Sequence, residues 1–169
     1  MKLKRSLRNQ SNATRLKSTG GFKTIAKVVL FDSSSGNVLV IRRTYTDSRR
    51  PGQWDIPGGT VEAGETLEAA VIRECNEEVA INIKEADLKL FFTDRDHFNQ
   101  EDDQVLTVNW LVFYCPVTEQ SVNLSFEHEE YKWLSVKEAT KLMTYHRYKT
   151  VMGIFAESKL NQTQAAAGP

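Results

Sequence analysis

Between residues 24 and 56 apolar positions come in short β-branched runs, and from residue 66 they recur at the three-to-four spacing of a helix. Thr24–Phe31 (TIAKVVLF) and Val38–Ile41 have strand length, and the turn-rich Asp32-Ser33-Ser34-Ser35-Gly36-Asn37 between them predicts a hairpin. Trp54-Asp55-Ile56 predicts a short strand running into the turn Pro57-Gly58-Gly59. From Thr66 to about Val79 there is no Gly or Pro, and Leu67, Glu68, Ala69 and Ala70 favour a helix. Leu88–Thr93 and Leu106–Cys115 read as two further strands, linked by the polar segment Asp94–Gln104. Glu130–Leu134 reads as a last strand. Ser135 then caps a helix with Val136, Ala139 and Leu142 as apolar positions. Tyr148–Leu160 predicts a final helix whose buried stripe is Val151, Ile154 and Phe155. Strands and helices in this order predict an α/β sandwich.

Chemistry concentrates on the helix after residue 66. Glu74, Glu77 and Glu78 are related as i, i+3 and i+4, so they share one edge, bordering the apolar flank of Val71, Ile72, Cys75 and Val79. The like-charge pair Glu74/Glu78 costs about 0.2–0.5 kcal/mol unless a cation sits among the carboxylates. A solvated acidic face paired with Arg73 would show the same spacing, but placement at the border of the buried stripe favours a metal. Hard oxygen ligands suit Mg²⁺, or Mn²⁺. Gly58 and Gly59 let backbone approach a ligand closely, and Gly64 precedes the helix start, whose dipole favours phosphate.

The stretch from Gly59 to Ile81 resembles the signature box of the Nudix hydrolases, G-x5-E-x7-R-E-U-x-E-E-x-G-U, where U is a bulky aliphatic residue. Gly59, Glu65, Arg73, Glu74, Glu77, Glu78 and Ile81 match. Cys75 replaces the usual aliphatic, and Ala80 replaces the glycine that ends the helix with positive φ. The resemblance implies the Nudix fold, an α/β/α sandwich with a mixed sheet between helices, over roughly Phe22–Lys159. It also implies metal-dependent hydrolysis of a diphosphate linkage, with Glu74, Glu77, Glu78 and the carbonyl of Gly58 holding the metal. Glu74 is then the candidate for water activation, Arg73 orients the acids, and Glu65 supports Arg73.

MutT-like members add an acid shortly before the tryptophan of the last strand. Glu127 has that placement relative to Trp133, with Asp102 and Asp103 as rivals. Such members also carry a phosphate-contacting arginine after the second strand, implying Arg42 and Arg43, with Arg49 and Arg50 as alternatives. Candidates for stacking on a base are Phe98, His97, Trp110 and Tyr145. Other subgroups fit less well. His97 stands where the ADP-ribose subgroup has proline, and Phe98 near where the diadenosine-polyphosphate subgroup has tyrosine. The Ser-Gln-Pro-Trp run of the NADH subgroup is absent, and Pro57 stands where RNA-decapping bacterial members have Gln. The MutT-like set remains, although Tyr145-His146-Arg147-Tyr148 replaces the Pro-rich, Asn-containing stretch of its oxidised-purine members.

The expected reaction is conversion of a nucleoside or deoxynucleoside triphosphate to monophosphate and pyrophosphate. The alternatives are an ADP-ribose or nucleotide-sugar pyrophosphatase, and a regulatory module that binds nucleotide without cleaving it. The second alternative conflicts with a box that retains every acid.

Length and charge add limits. At 169 residues the chain suits one domain, and 22 Lys and Arg balance 22 Asp and Glu, giving no general case for a nucleic-acid or membrane partner. The expected partner is a small nucleotide, with the protein a monomer or homodimer. Cys75 and Cys115 make no disulfide framework, so a reducing cytoplasm is expected. Residues 1–21 carry Lys2, Lys4, Arg5, Arg8, Arg15 and Lys17 without an acid and read as a basic, disordered tail. A folded domain over residues 22–160 and a flexible end over 161–169 complete the expected organisation.

Overall fold

The computed structural model describes residues 19–99, 104–118 and 120–166. Its strands are β1 (Thr19–Asp32), β2 (Val38–Arg43), β3 (Trp54–Asp55), β4 (Gly58–Thr60), β5 (Lys89–Asn99), β6 (Val105–Val117) and β7 (His128–Leu134). The helices are α1 (Leu67–Val79), α2 (Val136–Leu142) and α3 (His146–Ala166), with a 3-10 turn at Glu85–Asp87. The seven strands form one mixed sheet in the order β3-β2-β1-β6-β5, with β4 paired to β1 and β7 to β2. β1 runs parallel to β6 and antiparallel to its other partners.

Both faces of β1 are buried, which is why TIAKVVLF is a nearly continuous apolar run and not an alternating one. Ala26, Val28 and Leu30 pack with Ala70, Val71, Cys75 and Val79 of α1. Val29 and Phe31 pack on the opposite face with Ala139 of α2 and Tyr148, Val151, Met152 and Phe155 of α3. The expected α/β sandwich is therefore the observed one.

One edge of β1 is shared between two strands, and this places the site. β2 joins β1 at Phe31↔Val38, whereas β4 pairs nearer the chain start, through Ile25↔Thr60, Ala26↔Gly59 and Lys27↔Gly58. The expected Pro-Gly-Gly turn is thus partly a strand, and it lays Gly58 and Gly59 against α1.

Several boundaries differ from expectation. β1 begins at Thr19, five residues before the expected start. β5 continues through Asn99, so Asp94–Asn99 belongs to a strand and not to a linker. Its backbone is satisfied by β6, from Asp94↔Trp110 to Asn99↔Val105, and Arg147 pairs with Asp94 and Asp96. α3 runs on to Ala166, taking in residues 161–166 that the sequence assigned to a tail. Its buried stripe is Tyr148, Val151, Met152 and Phe155, with Ile154 at the exposed edge. Residues 1–18, with most of the basic tail, and the rival acids Asp102 and Asp103 lie outside the described residues.

The end of α1 keeps the backbone of a glycine cap although the residue is alanine. Ala80 has φ 55° and ψ 31°, and it is the single non-glycine residue with positive φ among the described residues. Its N–H donates to the Asn76 carbonyl at 3.2 Å, and that of Ile81 to the Cys75 carbonyl at 3.4 Å. Left-handed backbone costs an L-residue ~1–2 kcal/mol, of which greater freedom in the unfolded chain returns part on substitution by glycine. Ala80→Gly should therefore raise stability by about 0.5–1 kcal/mol in urea unfolding at unchanged m-value. An equal or lower midpoint would show that the cap carries no strain.

Candidate active site

α1 begins where Thr66, in extended backbone, accepts from the Ala69 N–H at 3.1 Å. From that start, Glu74 and Glu78 project to the β4 side, one turn apart. Glu78 is buried, and its Oε2 accepts from the Gly58 N–H at 2.8 Å. The two glycines permit this approach. A Cβ at Gly59 would stand 2.7 Å from the Glu74 carboxyl carbon, and one at Gly58 (φ 120°) 2.6 Å from the Lys27 Cα.

Arg73 holds the remaining acids as a hub. Its Nε and one terminal nitrogen donate to both oxygens of Glu65 at 2.8 and 3.1 Å, and a second nitrogen reaches Glu74 at 3.0 Å and Glu77 at 3.2 Å. A further bond to the Thr60 carbonyl, at 3.1 Å, ties α1 to the end of β4. The bidentate fork to Glu65 and the neighbouring charges of Glu74 raise the arginine well above its ordinary value, so it stays charged at any working pH.

Behind the acids lies a buried ion cluster. Asp55 is 0 % exposed, and its Oδ1 accepts from Lys27 Nζ at 3.0 Å and from the Ile56 N–H at 2.7 Å. Arg50 and Arg43 reach its Oδ2 at 3.2 and 3.4 Å. Burial alone would push this carboxyl up, but Lys27 and Arg50 outweigh it and hold Asp55 down at about 2. Glu78 behaves in the opposite sense. Desolvation lifts its carboxyl to about 7, since the charge of Lys27 is offset by that of Asp55. His128 Nε2 stands 3.8 Å from Glu78, and burial pushes this imidazole down to about 4, leaving it neutral near pH 7.

Acids and cations together line a cavity of about 200 Å³, and within it Arg43 pairs with Glu127 at 3.7 Å. Gly58, Gly59, Glu74, Glu78 and Glu127 contribute to its lining, as do Lys23, Lys27, Arg43, Arg49 and Arg50. Lys23 is pushed below its ordinary value by burial and by the charge of Arg49. Two cations that disfavour each other in a pocket make a place for an anion. Oxygen-only acids and arginines lining one cavity suit a cation–phosphate complex.

A family profile for the NUDIX domain matches residues 21–152. The chain belongs to the Nudix family. It is 31 % identical over 136 residues to mouse diphosphoinositol polyphosphate phosphohydrolase 2, covering 80 % of this chain and 71 % of that protein. It is 29 % identical over 125 residues to a dihydroneopterin triphosphate diphosphatase of Haemophilus influenzae, covering 68 % of this chain and 75 % of that enzyme. In fold it resembles the MutT protein of Methanosarcina mazei Go1, with TM-score 0.63 at 24 % identity over 87 % of this chain and 98 % of that one. It also resembles the Ap4A hydrolase of C. elegans, with TM-score 0.62 at 22 % identity over 82 % and 98 %. The expected family and fold are those found, and the protein is a Nudix pyrophosphohydrolase.

Members of this family use divalent metal cations, and the donors here fit one in part. Among the described residues no three His, Cys, Asp or Glu side chains are gathered into a ready metal-ligand group. Glu77 is 58 % exposed at its side chain and shares one Arg73 nitrogen with Glu74, but it does not line the cavity as Glu74 and Glu78 do. The fit rests on a buried carboxylate, Glu78, whose charge the protein compensates too weakly, in a cavity that Glu74, Glu127 and Gly58 also line. Glu65 does not line the cavity and accepts both bonds of the Arg73 fork.

The structure divides the two expected arginines. Arg43 enters the Nudix cavity, whereas Arg42, its neighbour on β2, points to the other side and pairs with Glu129, Glu130 and the Tyr45 hydroxyl at 3.0, 2.8 and 3.1 Å. Adjacent strand residues alternate faces, so only one of the pair could reach the site. The alternatives Arg49 and Arg50 both line it. Phe98, half exposed near the far end of β5, does not line the cavity, and His97 bonds the Thr107 hydroxyl at 3.1 Å. Trp110 is core, in edge contact with Tyr148, while Tyr145 packs under the Arg50 guanidinium at 5.3 Å.

Sequence reasoning passed over Lys23, Lys27, Asp55 and His128. A signal for two of them existed. Lys27 interrupts TIAKVVLF, and Asp55 sits between Trp54 and Ile56. A charge inside a strand buried on both faces must find an opposite charge.

Proposed function

We propose that this Nudix enzyme hydrolyses a nucleoside or deoxynucleoside triphosphate to the monophosphate and pyrophosphate, with Mg²⁺ as its cation and Mn²⁺ as a substitute. The supporting observation is the cavity that Glu74, Glu78, Glu127 and Gly58 line together with Lys23, Arg43, Arg49 and Arg50. Gly58, Glu74, Glu78 and Glu127 are the residues assigned to hold the cation. When bound, it neutralises phosphate oxygens and lowers the pKa of the attacking water. Glu74 accepts the proton of that water, held in orientation by Arg73, which Glu65 fixes in turn. Arg43, Arg49, Arg50 and Lys23 bind the phosphates and stabilise the charge that develops on the leaving pyrophosphate.

A second reading is a diphosphoinositol polyphosphate, the substrate named for the mammalian relatives. The number of cations in the cavity favours it. The two separate by product, because a triphosphate releases pyrophosphate and a diphosphoinositol releases orthophosphate. Purified protein with Mg²⁺ should release pyrophosphate from at least one member of a nucleotide panel that includes oxidised triphosphates and ADP-ribose. Orthophosphate from a diphosphoinositol, with every nucleotide left intact, would overturn the first reading in favour of the second.

A further inference from the structure

The acid–arginine cavity opens onto a second hollow of about 440 Å³ lined by Arg43, Thr44, Thr46, Asp47, Ser48, Arg49, Phe126 and Glu127. Arg43, Arg49 and Glu127 line both. The larger hollow near the start of α1, about 610 Å³, shares none of its lining with the acid cavity. Whatever projects beyond a phosphate chain bound at Arg43 and Arg49 therefore has this second hollow directly beside it.

We propose that Phe126 and the Thr44–Ser48 loop form the subsite for the nucleoside moiety, with the base stacked on the Phe126 ring. The proposal rests on the triphosphate reading above and deepens it. Chemistry changes along the two hollows in the order that a nucleotide requires. Carboxylates and cations come first, Arg43 and Arg49 stand at the shared boundary, and beyond them come the hydroxyls of Thr44, Thr46 and Ser48 with one aromatic face. A fully phosphorylated ring would call for cations in this outer part. The residues there offer hydroxyls suited to ribose or base edges and a π-surface.

Phe126 is 90 % exposed, the most of any large hydrophobic residue among those described, yet its backbone is held in place. It is a central residue of a turn closed by the His128 N–H to the Ser125 carbonyl at 3.2 Å. The next residue's carbonyl accepts from the Thr44 N–H at 3.0 Å, which ties the turn to the loop opposite. Asp47 braces that loop. It accepts from the backbone N–H groups of Arg49 and Arg50 at 2.9 and 2.6 Å and from the Arg43 guanidinium at 2.6 Å. An apolar ring fixed at full exposure gains nothing from folding, whereas a stacked base would cover it. Because Glu127 is its neighbour in the same turn, a base on Phe126 and a cation at Glu127 would be held in fixed relation.

The test compares Phe126→Ala with the unaltered protein in Mg²⁺, measuring KM for the preferred nucleoside triphosphate and Ki for inorganic tripolyphosphate, a competitor without a base. The ratio of KM to Ki should rise at least about fivefold in the variant, since base–aromatic stacking is worth ~1–3 kcal/mol. A ratio changed by less than twofold would overturn the proposal. Phe126→Trp supplies a second readout that needs no turnover. Nucleoside monophosphate should quench the added tryptophan, and tripolyphosphate should not. Quenching without hydrolysis of any nucleotide would retain the subsite and reject the triphosphate reaction. Hydrolysis without quenching would do the reverse.

Discussion

Asp55→Asn is expected to be the most damaging single substitution to the fold, lowering stability by about 3–5 kcal/mol. The amide has nearly the same shape, so packing is spared and the loss is electrostatic. Lys27, itself 3 % exposed, would keep its charge without a counter-ion, and Arg43 and Arg50 would each lose a partner. Removing one member of a buried ion cluster costs more than the cluster contributes, because the stranded charges stay desolvated. The pH dependence follows from the same carboxyl. Its folded value of about 2 lies below that of an unfolded aspartate, so its contribution is fully present above about pH 4. That contribution, about 2 kcal/mol, is lost as pH falls through 2. In Asp55→Asn this acid-side loss should vanish. Urea midpoints at pH 7 and pH 3 check both statements, and a variant within 1 kcal/mol of the parent at pH 7 would refute the assignment.

Glu78→Gln should separate activity from stability. Glu78 is assigned to the cation and lines the cavity, so kcat/KM should fall by about 10²–10⁴-fold. Stability in chelator should hold or rise. Burial lifts this carboxyl from 4.5 to about 7, so its contribution to stability falls as pH rises across that interval, and the full penalty remains at higher pH. Glutamine removes that charge and retains an oxygen for the Gly58 N–H. Addition of Mg²⁺ should raise the Tm of the parent more than that of the variant. Turnover within threefold of the parent, or a variant that melts well below it in chelator, would remove Glu78 from the proposed site. Glu77→Gln gives the contrast. Its side chain pairs with Arg73 outside the cavity, so its loss should be the smaller of the two.

The local chemistry of α1 was legible in the sequence because it is carried by a single element. Glu74, Glu77 and Glu78 share an edge by helix geometry alone, and Ser135 caps α2 as expected, the structure adding a capping box with Glu138 and a Thr66 cap on α1. Strand runs and the sandwich followed from hydrophobic length and period. Element ends were less legible. Asp94–Asn99 is polar by composition, and only a partner strand and Arg147 make it β-structure. The rest of the cavity lining was not legible as a unit, because its parts come from separate elements. Lys23 and Lys27 lie on β1, Arg43 on β2, Arg49 and Arg50 on the loop before β3, and Glu127 in the turn before β7.

The family, the helix that carries the ordered acids and the two-sided burial of the sheet could be read from the chain alone, because these depend on spacing within one segment. Only the folded arrangement settles which of two neighbouring arginines enters the cavity, that Glu74 and Glu78 line it while Glu77 does not, that Asp55 anchors three cations, and that Phe126 lines the adjoining hollow. Those outcomes depend on strand register and on β1 sharing its edge between β2 and β4, and a one-residue shift there turns every side chain to the opposite face.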